Sequence, residues 1–418
     1  MKKHMIIAAL AALTLASCAK VETTPIDRFA DGPAAIMFSN YAPRSITKAD
    51  AANYASSTAL INNADFDVYG WSTANNVSFN GSNGTQFMNW YTVTYQTGGN
   101  SSGITNLYPD GYRYWPSGDT PDKLSFYAYY PSNDGTITPP AGLGAFSFTA
   151  EAAAADMVDF MVADVVKDQV YDATNSGTPG TVNLTFRHML TKVQFRFKRA
   201  IDYDSNGNGL DANDIPDPNT VIILTDAKIY NARTTGTLTS AYDGTDFTTG
   251  WSAQGTPSAT PYEVYVSGSD IANLVLTKDA QPAAEVASDT FLMVPQTMVT
   301  PAFETGTRTL TSASAAEKPQ YLEVFWTVKT YDTAAHATAN GAEGLLSTTT
   351  NSKKLYFDID LKTTDGNPGQ AAPATKDLDW DKNQSIIYTI TIGPKPILFT
   401  AEVAEWDDPD INGYFNVQ

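Results

Sequence analysis

Between Val182 and Phe197 apolar and polar residues alternate, and the alternation changes phase part-way. Val182, Leu184, Phe186, His188 and Leu190 fall on even numbers, whereas Val193, Phe195 and Phe197 fall on odd ones. A period of two is the pattern of a strand with one face buried, because successive side chains point to opposite sides. A one-residue slip sends every side chain to the other face, so no single strand keeps one face in a core through Thr191–Lys192. A bulge, or a strand passing from one packing partner to another, resolves the conflict. The segment therefore marks the neighbourhood of a junction between two β units.

The same periodicity recurs along the chain. Strands are expected at Ala35–Ser39, Asp65–Trp71, Asn89–Tyr95, Leu124–Tyr130, Ala145–Thr149 and Val158–Val162. In the second half they are expected at Val221–Leu224, Ala227–Tyr230, Tyr262–Val266, Leu274–Leu276 and Phe291–Val294, then at Leu322–Val328, Leu355–Leu361, Ile386–Ile392 and Ile397–Val403. Turn signals such as Asn80-Gly81 and Asn83-Gly84 separate them. The aromatic run Tyr108–Pro116 reads as a loop or edge, since proline brackets it. Only Ala49–Leu60 and Glu151–Asp156 look helical. Many short strands with polar turns predict an all-β fold of sandwiches.

Composition agrees. Charged residues make up 17% of the chain, below the usual ~25%, and Thr, Ser, Asn and Gly take their place, a mix suited to exposed sheet faces. The net charge of −19 disfavours nucleic acid and anionic lipid surfaces as partners, since both require a basic footprint. Material for enzyme chemistry is sparse. The single Cys and three His exclude a thiolate zinc site, and neither a phosphate-binding G-x-x-x-x-G-K-[ST] nor a G-x-S-x-G nucleophile turn occurs. His188 lies on the apolar face of its strand, as a packed core histidine would, and His336 falls in a loop-like stretch with no evident partner.

The N-terminus reads as an export signal. Lys2 and Lys3 precede an apolar stretch, Ile6–Leu15, too short to span a bilayer. Leu15-Ala16-Ser17-Cys18 then matches the lipobox of bacterial lipoproteins, which predicts acylation at Cys18 and attachment to outer-membrane lipid. Residues 19–34 form a tether. The other local signal is Asp202-Tyr203-Asp204-Ser205-Asn206-Gly207, continuing to Asp211. Short oxygen ligands at Asp202, Asp204, Asn206 and Asp211, with Gly at the sixth place, resemble the start of a calcium loop. Asn213 stands where a bidentate Glu belongs, and an ion-free acidic turn has the same composition. No other cofactor is implied.

Several phrases, in order along most of the chain, resemble the fimbrillin (Mfa-like) lipoproteins of Bacteroidetes. They are Asp65-Phe66-Asp67-Val68-Tyr69-Gly70, Tyr114-Trp115-Pro116, Leu124–Pro131, Leu184–Val193 and the closing Val403-Ala404-Glu405-Trp406. The resemblance implies two tandem transthyretin-like β-sandwich domains, here 35–180 and 181–418 after the 1–18 signal and the tether. It also implies a subunit or adhesin of a type V pilus at the cell surface, with other pilus subunits and a host or bacterial surface ligand as partners. In that family a trypsin-like protease cuts after an Arg, and a strand of one subunit fills the groove opened in the next. Arg28, in the tether before the Ala35–Ser39 strand, fits that cut better; a cut at Arg44 would remove the strand, whose groove-filling residues are Ile36 and Phe38. Ile397 and Phe399 mark the expected donor strand, which otherwise serves as an internal strand of the last sandwich. Asp332-Thr333-Ala334 resembles a short O-glycan acceptor site. The alternative to a pilus role is a surface lipoprotein that binds a glycan through aromatics around Tyr112–Trp115 without polymerising.

Overall fold

The computed structural model describes residues 34–41, 65–95, 107–109, 113–132, 134–172, 180–201, 216–266, 274–279, 281–282, 290–304, 310–311, 318–358, 379–393 and 398–405. Among these the chain is all-β: helix is confined to a 3-10 turn at Ala154–Asp156 and one short helix, Ala334–Ala339. The first falls inside the expected Glu151–Asp156 segment. The second lies in a stretch whose sequence looks loop-like, and it forms because Thr333 caps its N-terminus while Asn340, in the left-handed region, ends it. Ala49–Leu60 lies outside the described residues. No described helix is long and apolar enough to cross a membrane.

The first sheet has eight strands. Phe66–Thr73 pairs on one side with Thr85–Tyr95 and on the other with Lys123–Tyr130. The chain of pairings then runs from Thr85–Tyr95 through Leu107–Pro109, Met37–Tyr41, Thr181–His188 and Met161–Ala163 back to Lys123–Tyr130, so the sheet closes into a ring, with Val166–Gln169 added alongside Lys123–Tyr130. Closure leaves few open edges. Alternate residues fill the interior: Phe66 and Val68, Leu124 and Phe126, Val182, Leu184 and Phe186.

The outward face of the Phe66–Thr73 and Lys123–Tyr130 strands is buried too. Ile137–Thr138, Ala145–Thr149, Thr235–Tyr242 and Phe247–Gln254 form a four-stranded sheet. It covers Tyr69, Trp71, Tyr127 and Tyr129, and this explains the unbroken burial of Phe66–Trp71. On that face Asp67 is also buried, its carboxylate accepting the Thr92 and Ser132 hydroxyls at 2.8 and 2.7 Å and the Tyr129 hydroxyl at 2.7 Å. Three donors offset the cost of taking that charge out of water. Burial, with the Asp67 carboxylate beside it, pushes the Tyr129 phenol far above its ordinary value.

Two five-stranded sheets form the second half. One centres on Thr191–Arg199, which runs parallel to Gln384–Ile392, with Leu398–Glu405 at the edge. The other centres on Thr220–Tyr230 and Tyr321–Tyr331, with Leu345–Tyr356 at its edge. They face each other across one core in which Phe195 packs against Phe291, Phe357 and Tyr388 at ring distances of 6.2, 6.4 and 5.3 Å.

The phase change sits at the handover between these bodies. Thr181–His188 pairs in the ring, and Thr191–Arg199 pairs in the sandwich. Even residues before the flip fill the ring, odd ones after it fill the sandwich, and Met189 and Leu190 pack in the aromatic layer between. Thr181–His188, which follows the 180/181 division, thus pairs with strands that precede it, and Thr235–Tyr242 pairs with Ala145–Thr149 across the same division. Phe146 lies in this shared layer, fully buried, with ring contacts to Trp90, Tyr127, Tyr129 and Phe160. Phe146→Ala is expected to lower stability by about 3–5 kcal/mol, measured by equilibrium urea unfolding. Leu346→Ala, at a side chain 66% exposed, is expected to change it by less than about 0.5 kcal/mol.

Candidate functional site: the Met37–Tyr41 strand and its slot

The strand expected at Ala35–Ser39 is Met37–Tyr41, preceded by an isolated bridge from Ala35 to Tyr114. It lies between two strands distant in sequence. On one side it runs parallel to Thr181–His188, Met37 opposite Thr181 and Tyr41 opposite Thr185. On the other Phe38 pairs antiparallel with Leu107. Ile36 and Phe38 are 0% and 1% exposed, and both enter the ring's interior. Phe38 meets the rings of Phe66 and Phe126 edge-on at 6.4 and 5.4 Å.

The mouth of the slot is held by residues that the sequence did not single out for this role. Ile36 N–H donates to the Arg113 carbonyl at 2.8 Å, and Trp115 N–H donates to the Ala34 carbonyl at 2.9 Å. Gly180 accepts from both Met37 N–H, at 3.3 Å, and the Trp115 indole N–H, at 3.0 Å. At φ +77° Gly180 occupies the left-handed region, and a Cβ there would come within 2.9 Å of the Trp115 indole nitrogen, so glycine fits for two reasons. The Arg113 guanidinium lies 4.1 Å from the centre of the Tyr91 ring and holds this segment against the neighbouring strand. Ser39 donates its hydroxyl to the Asn183 side chain. The described parts of the proline-bracketed aromatic run, 108–109 and 113–116, thus line the slot. The run's prolines hid a three-residue strand, Leu107–Pro109.

Other candidates disperse. Trp115 is 5% exposed and turned into the core, which argues against its use as a sugar-stacking platform. His188 is buried, with Nδ1 2.7 Å from an Asp159 carboxylate oxygen, a packed core residue as expected. His336 has partners after all: its Nδ1 lies 2.6 Å from Asp332 and its Nε2 3.8 Å from Glu343, brought together by the helix absent from the sequence reading. Cys18, Arg28, Arg44, Ile397 and the Asp202, Asp204, Asn206 and Asp211 loop all lie outside the described residues. Among the described residues no group of three or more His, Cys, Asp or Glu side chains is placed to hold a metal ion. Phe399 stands on the Leu398–Glu405 edge strand, opposite Ile390 of the same chain.

The fimbrillin-like family profile matches residues 47–406. The chain belongs to the fimbrillin-like family. No curated protein matches it in sequence. Among solved structures, a fimbrial protein from Bacteroides vulgatus is 16% identical and superposes with a TM-score of 0.55 over 89% of this chain and 99% of its own. The tip fimbrial protein Mfa3 from Porphyromonas gingivalis, with its C-terminus truncated, is 12% identical, with a TM-score of 0.38 over 82% of this chain and 94% of its own. A fimbrial assembly protein from Parabacteroides distasonis is 10% identical, with a TM-score of 0.35 over 88% and 98%. The likeness to the first is one of fold.

The Asp332 hydrogen bond holds the His336 imidazolium, raising its pKa above the usual 6.5, and the Asp332 and Glu343 charges add to this while burial opposes it. A raised folded-state value means that the pair's contribution is fully present below pH ~6.5 and is lost as pH rises through the raised value. Asp332→Asn in this fimbrillin-like chain is expected to bring the His336 titration, followed by NMR, back down toward the ordinary histidine value.

Proposed function

We propose that this chain is a structural subunit or adhesin of a type V pilus, delivered to the outer membrane as a lipoprotein through Cys18 and joined to neighbouring subunits by strand exchange. The observation that carries the reading is the slot. The short strand Met37–Tyr41, with Phe38 and the preceding Ile36 fully buried, sits between the strands Leu107–Pro109 and Thr181–His188. Its removal uncovers two rows of main-chain groups and a hydrophobic trough, a template for an added strand.

Strand exchange gives the two arginines different weights. A cut after Arg28 leaves the strand attached and the slot filled. A cut after Arg44 separates the strand, with its lipid anchor, from the body that follows. Arg44 is therefore the maturation site in this reading, reversing the preference drawn from sequence. Acylated Cys18 then serves delivery, and trimming releases the subunit from the membrane. The donor is the C-terminal part of the chain, including Leu398–Glu405. As an edge strand it has one paired neighbour among the described residues, Gln384–Ile392.

Trimming the purified chain with an arginine-specific protease, which spares Lys48, is expected to give a new N-terminus at Ser45 and a ladder of SDS-resistant oligomers. Arg44→Ala should abolish the ladder and Arg28→Ala should leave it. Trimmed protein that stays monomeric would defeat the strand-exchange reading, and a ladder lost with Arg28→Ala alone would defeat the choice of Arg44.

A further inference from the structure

One cavity lies where three of the sheets meet, and its volume is about 270 Å³. Asp164 and Arg187 come from the ring, and Thr248 and Thr249 from the four-stranded sheet. Lys382 comes from the turn that leads into Gln384–Ile392 of the second sandwich. Junctions between structural units are common places for small-molecule sites. Five of the ten lining residues are polar and five are apolar, with Phe247 among the apolar ones.

Charge at the cavity runs against that of the chain. The sequence carries 45 acidic and 26 basic residues, yet the lining holds two cations, Arg187 and Lys382, and a single carboxylate, Asp164. A third cation, Lys167, stands 6.0 Å from the centre of the Phe247 ring. Asp164 is committed to Arg187, whose Nε and one terminal nitrogen each lie 2.8 Å from a carboxylate oxygen. Lys382 donates to the Thr249 carbonyl, a neutral acceptor that uses one of its three N–H groups. Partial desolvation and the Arg187 charge hold the Lys382 ammonium below its ordinary value, and the attraction of Asp164 does not make up the difference. An anion beside Lys382 supplies the missing counter-charge.

We propose that this cavity binds a sugar acid, with the carboxylate set against Lys382 and the ring against Phe247. Its size falls below the ~300–1,000 Å³ of sites for drug-sized molecules, so it takes one ring rather than an extended chain. An inorganic anion would engage the cations and leave the apolar half of the lining unused. A hydrocarbon acid would press carbon against Asp164 and the exposed Thr248, groups that then lose hydrogen bonds to water. A hydroxylated ring with an apolar face and a carboxylate meets all three kinds of lining. The inference is independent of how subunits join.

Saturation-transfer NMR with D-glucuronate and the intact, untrimmed chain tests this apart from polymerisation, so a negative result leaves the strand-exchange reading standing. The expected result is saturable binding with a dissociation constant of about 1 mM, in keeping with so small a ligand, and no binding of D-glucose at the same concentrations. Lys382→Met keeps most of the stem and removes the charge. It is expected to weaken binding about tenfold or more, with an unchanged melting temperature because Lys382 stands in an exposed turn. Lys278→Met, at an exposed cation away from the cavity, is expected to leave binding as it is. The proposal is overturned by a wild-type chain that does not bind glucuronate, or by a Lys382→Met chain that binds it equally well. Displacement of glucuronate by an equal concentration of acetate or sulfate would overturn it in favour of a bare charge site, and displacement by N-acetylalanine in favour of a peptide carboxylate.

Discussion

The structure depends on one aromatic layer that belongs to no single stretch of sequence. Tyr69, Trp71, Tyr127 and Tyr129 project from the outside of the ring, Phe146 and Phe148 rise from the small sheet below, and Met189, Leu190, Leu238 and Val294 arrive from the chain beyond residue 180. Phe160 stacks on Phe148 at 5.4 Å, and both meet Trp251 edge-on. A closed ring satisfies its backbone, but the outward face of its central strands is as apolar as the inward one. That second face must be covered, and the hairpin Thr235–Gln254 covers it by pairing with Ala145–Thr149. The later part of the chain is thereby committed to the earlier part.

How far the sequence revealed this follows from what alternation can encode. Strand segments such as Ala145–Thr149 and Thr181–His188 were readable because one face is buried and the other is not. The phase change near Thr191 was readable for the same reason, and it marks the change of sheet at Met189–Leu190. Partners were not readable. Nothing in Thr235–Gln254 announces that it pairs with a strand about ninety residues earlier rather than with its own neighbours, because pairing partner is a long-range choice that the period of a strand leaves open. The Ala334–Ala339 helix was missed because six residues hold too few turns for a helical period to register.

The slot shows the same limit at finer grain. Ile36 and Phe38 were legible as a buried pair by their spacing, but most of the groups that hold the strand in place are backbone amides and carbonyls. Arg113 and Gly180 contribute carbonyls, and Trp115 contributes an amide and an indole N–H. Backbone groups are present at every position, so no residue type marks them. What the geometry adds is a measure of the strand's attachment. Two buried side chains are worth about 1.5–3 kcal/mol each by transfer from water, before any main-chain bonds are considered. Any strand that replaces this one must offer side chains of similar size at alternate positions, since the trough is shaped by the rings of Phe66 and Phe126.

Edges explain why the two halves of the molecule differ. The ring hides its strand edges by closing on itself, and in the proposed assembly loss of the Met37–Tyr41 strand opens them. The second half stays an open sandwich, so its edges persist whatever happens to the N-terminus. Lys353, on the core-facing side of Leu345–Tyr356 opposite Val324, is the kind of inward charge that limits indiscriminate pairing. It sits at one end of that strand only and leaves the Leu345–Ser352 stretch neutral. The edge of this sandwich is thus limited by the bulge at Leu346 and by the lysines that follow its neutral stretch rather than by closure.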